Sequence, residues 1–426
     1  MPRTARIFLY VLATMVAICL AVEIYCQEVL HLGYPYNWPL MFPNPSFFDF
    51  TAYHQQFSRF HTNAFFQGPW ILMYPAPVIV CYWFFYSLKP VSTPIFLGFI
   101  LTATAVAAAM VARALMRRGI AARHAIVFIA STYLLAYPLW FEFKQANTEI
   151  VTWVALTLGV LAFATGRNWT AATLIGIAGA FKFYPIIYLG LLLSRKLYRQ
   201  CILGCLVAVA VTLGSLWFVG PTIPDAWHGT QIGLAMFRKD YMLALRPHEV
   251  GFDHSMFNVV KKVAWLAARL LGQRSGLPEQ FRSPLLSCYL AVAASAGILV
   301  YALRIRFLPL ANQVLCICIA AILLPPTSFD YTLMHLYVPL TLLFFLSVKA
   351  ERAGARVPGL AVTFALLGLT VSPLSELIKG SERVGGSWRA LILFTTFILS
   401  LRFRFHLPAA ERNDPLHPAP NLNSAG

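Results

Sequence analysis

The chain has 426 residues, of which 59% are hydrophobic and 12% charged, with a formal net charge of +17. Soluble domains carry about a quarter charged residues, so a soluble globular protein is excluded. Apolar runs of about 20 residues recur from end to end, which predicts an all-α polytopic membrane protein; a membrane β-barrel would show short alternating segments instead.

The first apolar run, 7–26, follows Arg3 and Arg6. Glu23 near its end, and the lack of a small-residue cleavage site, make it a retained helix and not a signal peptide. Residues 27–92 read as an outer catalytic loop with interfacial helices. Within it "FFDFTAYHQQF" holds Asp49, the only aspartate before Asp225, among aromatics. The stretch 70–88 follows Tyr74-Pro75-Ala76-Pro77. It is one crossing too many for the basic loops that come after it, so a re-entrant or interfacial element is expected there, with a tight helical hairpin as the alternative.

Crossings are expected at 93–115, 124–142, 147–165, 201–219, 285–303, 309–325, 331–348, 357–376 and 388–404. The loops rich in Arg and Lys between them belong on the cytoplasmic side. That rule forces residues 167–195 out and back, as two short helices meeting at Phe181-Lys182-Phe183-Tyr184-Pro185, with Pro185 as the break. The total is about twelve crossings with both termini inside. Residues 220–284 form a long outer loop with an amphipathic helix near 256–271. Residues 1–410 make one integral-membrane domain, and 411–426 a disordered cytoplasmic tail. The basic excess is thereby assigned to topology and anionic membrane lipids, with no nucleic-acid partner. The eight cysteines lie mostly inside apolar runs without zinc or disulfide spacing, and read as small apolar packers.

This topology gathers polar residues on the outer side. Asp49 and Tyr53 follow the first helix and Tyr74 opens the next element. Gln145 and Asn147 join two crossings. Lys182 and Tyr184 mark the short-helix apex, and Asp253, His254 and Asn258 lie in the long loop. Ser328, Asp330 and Tyr331 follow Pro325-Pro326, with His335 one turn deeper. Each has an ordinary reading: a loop acid, a snorkelling lysine, helix caps, an interior histidine. Polar groups near hydrocarbon are costly, and their convergence from independent segments marks a cavity with chemistry.

Several stations in order resemble glycosyltransferase family 87, the polyprenyl-phosphate-mannose-dependent mannosyltransferases with a GT-C membrane fold. They are the acid in "FFDFTAY", "MYPAPVIV", "KQANTEI", "GIAGAFKFYPIIYLGLLLSRKLYR" and "LPPTSFDYTLMHLYVPL", covering roughly 45–345. The Lys182 block is the most specific. The chain departs from the family pattern at Lys144, at Pro75-Ala76-Pro77 and at Phe329-Asp330-Tyr331; His335 stands one turn beyond the expected histidine.

The resemblance implies a polyprenyl-phosphate sugar donor, a lipid or glycan acceptor, and inversion at the anomeric carbon. Asp49 is then expected to be the general base. Lys182, with Tyr184, His335 and His254, would meet the charge growing on the departing phosphate. Tyr53, Tyr74, Gln145, Asn147, Asn258, Ser328, Asp330 and Tyr331 would hold sugar or acceptor. A lipid-phosphate donor has no diphosphate for a metal to bridge, and no acidic pair has metal-binding spacing, so neither a metal nor another cofactor is expected. The site should face the periplasm of a bacterial inner membrane. The competing class is a transporter or flippase of an amphipathic or lipid-linked substrate. Its sign would be paired broken helices in repeated halves, and only one Lys-x-x-Pro break occurs.

Overall fold

The computed structural model describes residues 3–31, 48–51, 53–67, 73–245, 251, 253–273, 277–372 and 381–406. Much of the expected outer loop before Tyr74, and the whole 411–426 tail, lie outside the described residues. No β-strand occurs among those described.

The helices are α1 (Arg3–Glu28), α2 (Phe48–Thr51), α3 (His54–Phe57), α4 (Ala76–Tyr86), α5 (Ser92–Arg117), α6 (Ala122–Ile129), α7 (Tyr137–Gln145), α8 (Glu149–Ala164) and α9 (Asn168–Phe181). There follow α10 (Leu189–Ser194), α11 (Tyr198–Val219), α12 (Ile223–Phe237), α13 (Met256–Leu270), α14 (Glu279–Leu303), α15 (Leu310–Leu323), α16 (Tyr337–Arg352), α17 (Leu360–Val371) and α18 (Ser381–Arg402). Short 3₁₀ turns at Tyr184–Tyr188 and Asp330–Leu336 precede α10 and α16.

Membrane-type packing follows from which stripe of each helix is covered. On α1, Ala5, Leu9, Leu12 and Val16 are buried at helical spacing, while Ile7, Val11 and Ile18 are exposed. α11 likewise exposes Ile202, Leu206, Val209, Leu213 and Trp217. Its other side meets α9 through glycines: a Cβ on Gly176 would lie 2.4 Å from the Gly204 carbonyl oxygen. Small residues at such a crossing let two backbones approach.

Among the described residues six helices, or helix runs, are long and apolar enough to cross a membrane, not twelve: Ala5–Cys26, Lys89–Arg117, Ala122–Gln145, Tyr198–Val219, Glu279–Phe307 and Asp330–Arg352. The other expected crossings include the shorter apolar helices α8, α15 and α17. α8 has 16 residues, a length of about 24 Å against roughly 30 Å of hydrocarbon. It stops short because its first turn belongs to a polar cluster and not to lipid. The run Ala122–Gln145 is itself broken by a π turn at Ala130–Leu134 before Pro138 restarts the helix. α4 has only 11 residues.

α13 is the amphipathic helix expected near 256–271. Asn258 and Lys261 face the protein, while Val263, Leu266 and Leu270 are exposed. Leu270 is 80% exposed. An outward apolar stripe of this kind suits a helix lying along a membrane interface.

α7 ends, α8 begins, α9 ends and α16 begins at one end of the bundle, where the polar residues collect. The far ends of α5, α8, α10 and α16 carry Arg117, Arg118, Arg167, Arg195 and Arg352. The polar cluster and the basic loops therefore occupy opposite ends.

Candidate active site

The first cluster is organised by Asn147, and the local chain explains its placement. α7 ends at Ala146, whose φ of 51° lies in the left-handed region; Tyr82, fully buried on α4, donates its hydroxyl to the Ala146 carbonyl at 3.3 Å. The turn leaves Asn147 at the head of α8, where its Oδ1 accepts the Glu149 backbone N–H at 2.9 Å. That bond fixes the side-chain amide. Its Nδ2 donates to Asp49 Oδ2 at 2.6 Å and to the Tyr74 hydroxyl at 3.0 Å. Lys182 Nζ lies 3.5 Å from the same Oδ1.

Asp49 reaches this amide because its neighbour is held in the core. Phe50 is fully buried against Phe96, with ring centroids 4.9 Å apart, and against Tyr82 at 5.7 Å. Burial raises the Asp49 carboxyl above its ordinary range. The Asn147 hydrogen bond, the Lys182 charge and Tyr74 oppose that shift without cancelling it. Tyr53 packs edge-on to Tyr74 at 6.1 Å, and burial raises both phenols.

Lys182 sits in extended backbone where α9 stops, just before the Pro185 break. Its ammonium lies 4.8 Å from the Tyr74 ring and 5.5 Å from the Tyr331 ring, positions that favour a cation. It is 3.7 Å from Glu149 Oε2. Glu149 Oε1 accepts the Tyr184 hydroxyl and lies 2.8 Å from His335 Nε2; Tyr184 and His335 are themselves 2.7 Å apart. One buried carboxylate thus gathers a lysine, a tyrosine and a histidine.

A second cluster surrounds Asp330, and His254 belongs to it instead of to the Lys182 group. Asp330 is fully buried and lies 2.7 Å from Arg389 Nη1, 3.3 Å from His254 Nδ1 and 2.8 Å from the Tyr137 hydroxyl. His254 Nε2 is shared with Ser328 and Thr332, at 3.1 and 3.0 Å. Ser328 and Ser255 donate their backbone N–H groups to Asp253 Oδ1, both at 2.9 Å. Asn258 donates to the Asp253 carbonyl oxygen, and Lys261 Nζ stands 3.9 Å from Asp253 Oδ2. Burial raises the Asp253 carboxyl, opposed by Lys261 and by these N–H groups. The 3₁₀ turn Asp330–Leu336 joins the two clusters, with Asp330 at one end and His335 at the other. Tyr331 lies between them.

Of the residues singled out from sequence, Gln145 alone joins neither cluster; it is half-buried at the end of α7. Sequence reasoning passes over Glu149, Glu142, Tyr137 and Arg389. Glu142 is fully buried and accepts the Ile150 backbone N–H at 3.0 Å. Glu142 and Glu149 are acids set against apolar runs, which is itself a functional signal. Arg389 opens the last expected crossing, and nothing in its local sequence singles it out. Among the described residues no group of three His, Cys, Asp or Glu is placed to hold a metal ion.

Chemically, the first cluster offers a half-buried carboxylate and an ammonium held by one amide, with an aromatic wall on either side. That is a proton acceptor beside a fixed positive charge. The model of glycosyltransferase family 87 matches residues 72–326. The matched segment includes Tyr74, Asn147, Glu149, Lys182, Tyr184 and His254; Asp49, Asp330, His335 and Arg389 lie outside it. No curated protein and no solved structure matches the chain. With more than half of its residues matched, this polytopic membrane chain belongs to glycosyltransferase family 87.

Proposed function

We propose that the chain transfers a sugar, mannose in the first instance, from a polyprenyl phosphate to a lipid or glycan acceptor with inversion at the anomeric carbon. Family membership supports a membrane glycosyltransferase; the donor class and a GT-C fold are what that family implies. By the positive-inside rule the basic end is cytoplasmic and the polar clusters face outward, in a bacterial inner membrane towards the periplasm.

The observation that carries the mechanism is the shared amide. Asn147 Nδ2 stands 2.6 Å from Asp49 and its Oδ1 3.5 Å from Lys182, so base and cation are set at a fixed spacing. Asp49 takes the proton of an acceptor hydroxyl as that oxygen attacks the anomeric carbon. The bond from that carbon to the phosphate oxygen breaks, and negative charge grows on the phosphate. Lys182 faces that charge, with Tyr184 and His335 beside it, all three held by Glu149. Tyr53, Tyr74 and Tyr331 line the space around Asp49 and Lys182 and limit competing water. The Asp330 and His254 cluster, with Ser328, Asn258 and Arg389, builds the wall on the acceptor side.

The test is turnover of a radiolabelled short-chain polyprenyl phosphomannose with a crude lipid extract, wild type beside Asp49→Asn. Label should move to a new lipid with the wild type, and about 10²–10⁴-fold more slowly with the variant. Near-normal transfer by the variant would remove Asp49 from the role of base. Inactivity of the wild type towards every polyprenyl phosphosugar tried would remove the donor assignment.

A further inference from the structure

α5, α8 and α16 wall a cavity of about 390 Å³, within the size class of ligand sites, about 300–1,000 Å³. Its lining is apolar apart from three threonines, Tyr133 and a single charged residue, Arg118. Rim residues Val106, Met110 and Leu161 are exposed, so the cavity opens sideways towards lipid. α5 lines it from Phe99 to its end. Along α8 it runs from Val154 to Ala164, a rise of about 15 Å, and along α5 from Phe99 to Leu115 it rises about 24 Å, so it is at least one leaflet of the hydrocarbon core long.

Charge stands at one end only. The Arg118 guanidinium lies 4.8 Å from the centre of the Phe345 ring, which lines the cavity, and Lys349 Nζ lies 5.2 Å from the same ring. Among the described residues no carboxylate lines the cavity. Glu351, on the same helix as Lys349, accepts the Ala5 backbone N–H at 3.2 Å. A slot at least one leaflet long, open sideways to lipid, apolar along its length and cationic at one end, complements a lipid with an anionic headgroup.

We propose that this cavity is a binding site for an anionic diacyl phospholipid of the leaflet at the basic end, with one acyl chain in the slot and the phosphate at Arg118 and Lys349. It is separate from the donor site proposed above: a donor's phosphate must reach Asp49 and Lys182 at the opposite end of the bundle. The assignment does not depend on the reaction.

The test uses the full chain in phosphatidylcholine nanodiscs doped with a photoactivatable phosphatidylglycerol or, in parallel, phosphatidylcholine carrying the same reactive acyl chain. Labelled peptides are then mapped. The anionic probe should label α5 and α16 peptides in clear preference to the neutral one. Arg118→Gln should cut that preference about fivefold, the weight of one basic residue near a membrane surface. Ala103→Trp, which fills the slot without touching the charge, should lower labelling by both probes. Equal labelling by the two headgroups, absence of label on these helices, or label unchanged in both variants would overturn the proposal. So would displacement of the label by unlabelled polyprenyl phosphate, which would give the slot to a donor tail.

Discussion

Asn147 donates to Asp49 at 2.6 Å while its own side-chain oxygen accepts the backbone N–H of Glu149, the first residue of α8, at 2.9 Å. Helix geometry and the proposed base are therefore one unit. Asn147→Ala removes the hydrogen bond to Glu149 N–H, a contribution of about 1 kcal/mol, and also frees Asp49 to turn. The expected result is a small drop in melting temperature with a loss of kcat of about 10-fold or more, since misplacement of a reacting group by an ångström is expensive. Thermal unfolding in detergent and donor turnover, measured on the same preparation, separate the two effects. A kcat that falls no further than the stability change explains would deny Asn147 its positioning role.

Burial holds the Asp49 carboxyl above its ordinary range, and this has two consequences of known sign. Transfer needs the ionised form, so the acid limb of the rate profile should lie above the ordinary aspartate value of about 4. For stability, the folded state binds this proton more tightly than the unfolded chain does. Stability then falls as pH rises from about 4 through the raised value, and the charged form is the unfavourable one at pH 7. Asp49→Asn should accordingly melt higher than wild type at pH 7, with the gap closing towards pH 4. A gap that is absent or of opposite sign across that window would contradict the raised value.

Asp49, Tyr74, Asn147, Lys182 and His335 are legible in the sequence because each is a polar residue beside a proline break or at the edge of an apolar run. Hydropathy and basic loops are enough to bring them to one end. Glu149 stands in plain view in "KQANTEI" and is passed over, because an acid next to a loop looks like a solvated flank until the structure shows it buried among Lys182, Tyr184 and His335. Arg389 is not legible at all, since its partner Asp330 lies on a distant segment and no local spacing links them. The division of His254 from Lys182 is likewise tertiary. The number of crossings is over-read for a related reason: helices such as α8, buried by neighbours and ended by polar site residues, have the hydropathy of a membrane span without its length.

Glu149 holds three prospective phosphate donors at once, and removing its charge should disturb all of them. Glu149→Gln leaves Lys182 beside a neutral amide in a largely buried setting, and breaking such a pair costs about 3–5 kcal/mol. The variant should lose donor affinity and turnover together. Lys182→Met alone should do the same, and the double variant should be less impaired in stability than the sum of the singles. Strict additivity, read by thermal unfolding, would show that the 3.7 Å separation carries no coupling.

α18 reaches the second cluster only because position 386 is glycine. A Cβ there would lie 2.3 Å from the Asp253 carbonyl oxygen and 2.8 Å from that of Gly251. Both are backbone atoms that cannot swing aside. Gly386→Ala should push the helix outward, at a cost of about 1–3 kcal/mol, and loosen the bond from Lys262 to Ser387, 2.6 Å in the native protein. Unchanged unfolding and unchanged protection of the neighbouring amides in hydrogen exchange would argue against so close an approach.

Arg389 and Asp330 are 1% and 0% exposed and 2.7 Å apart, so the guanidinium is the principal compensation of that buried carboxylate. Arg389→Leu should destabilise by about 3–5 kcal/mol because it strands a buried carboxylate with only His254 and Tyr137 as partners. Adding Asp330→Asn to the Arg389→Leu variant removes that carboxylate's charge and should recover a large part of the loss, since a neutral amide keeps hydrogen bonds to Tyr137 and His254. Activity separates structure from function here. If the Asp330 cluster binds acceptor, the double variant should refold without regaining transfer, while slow donor hydrolysis, which needs only Asp49 and Lys182, should return with stability. Recovery of transfer to the wild-type rate would reduce the cluster to a structural clamp between α18 and the turn that carries His335.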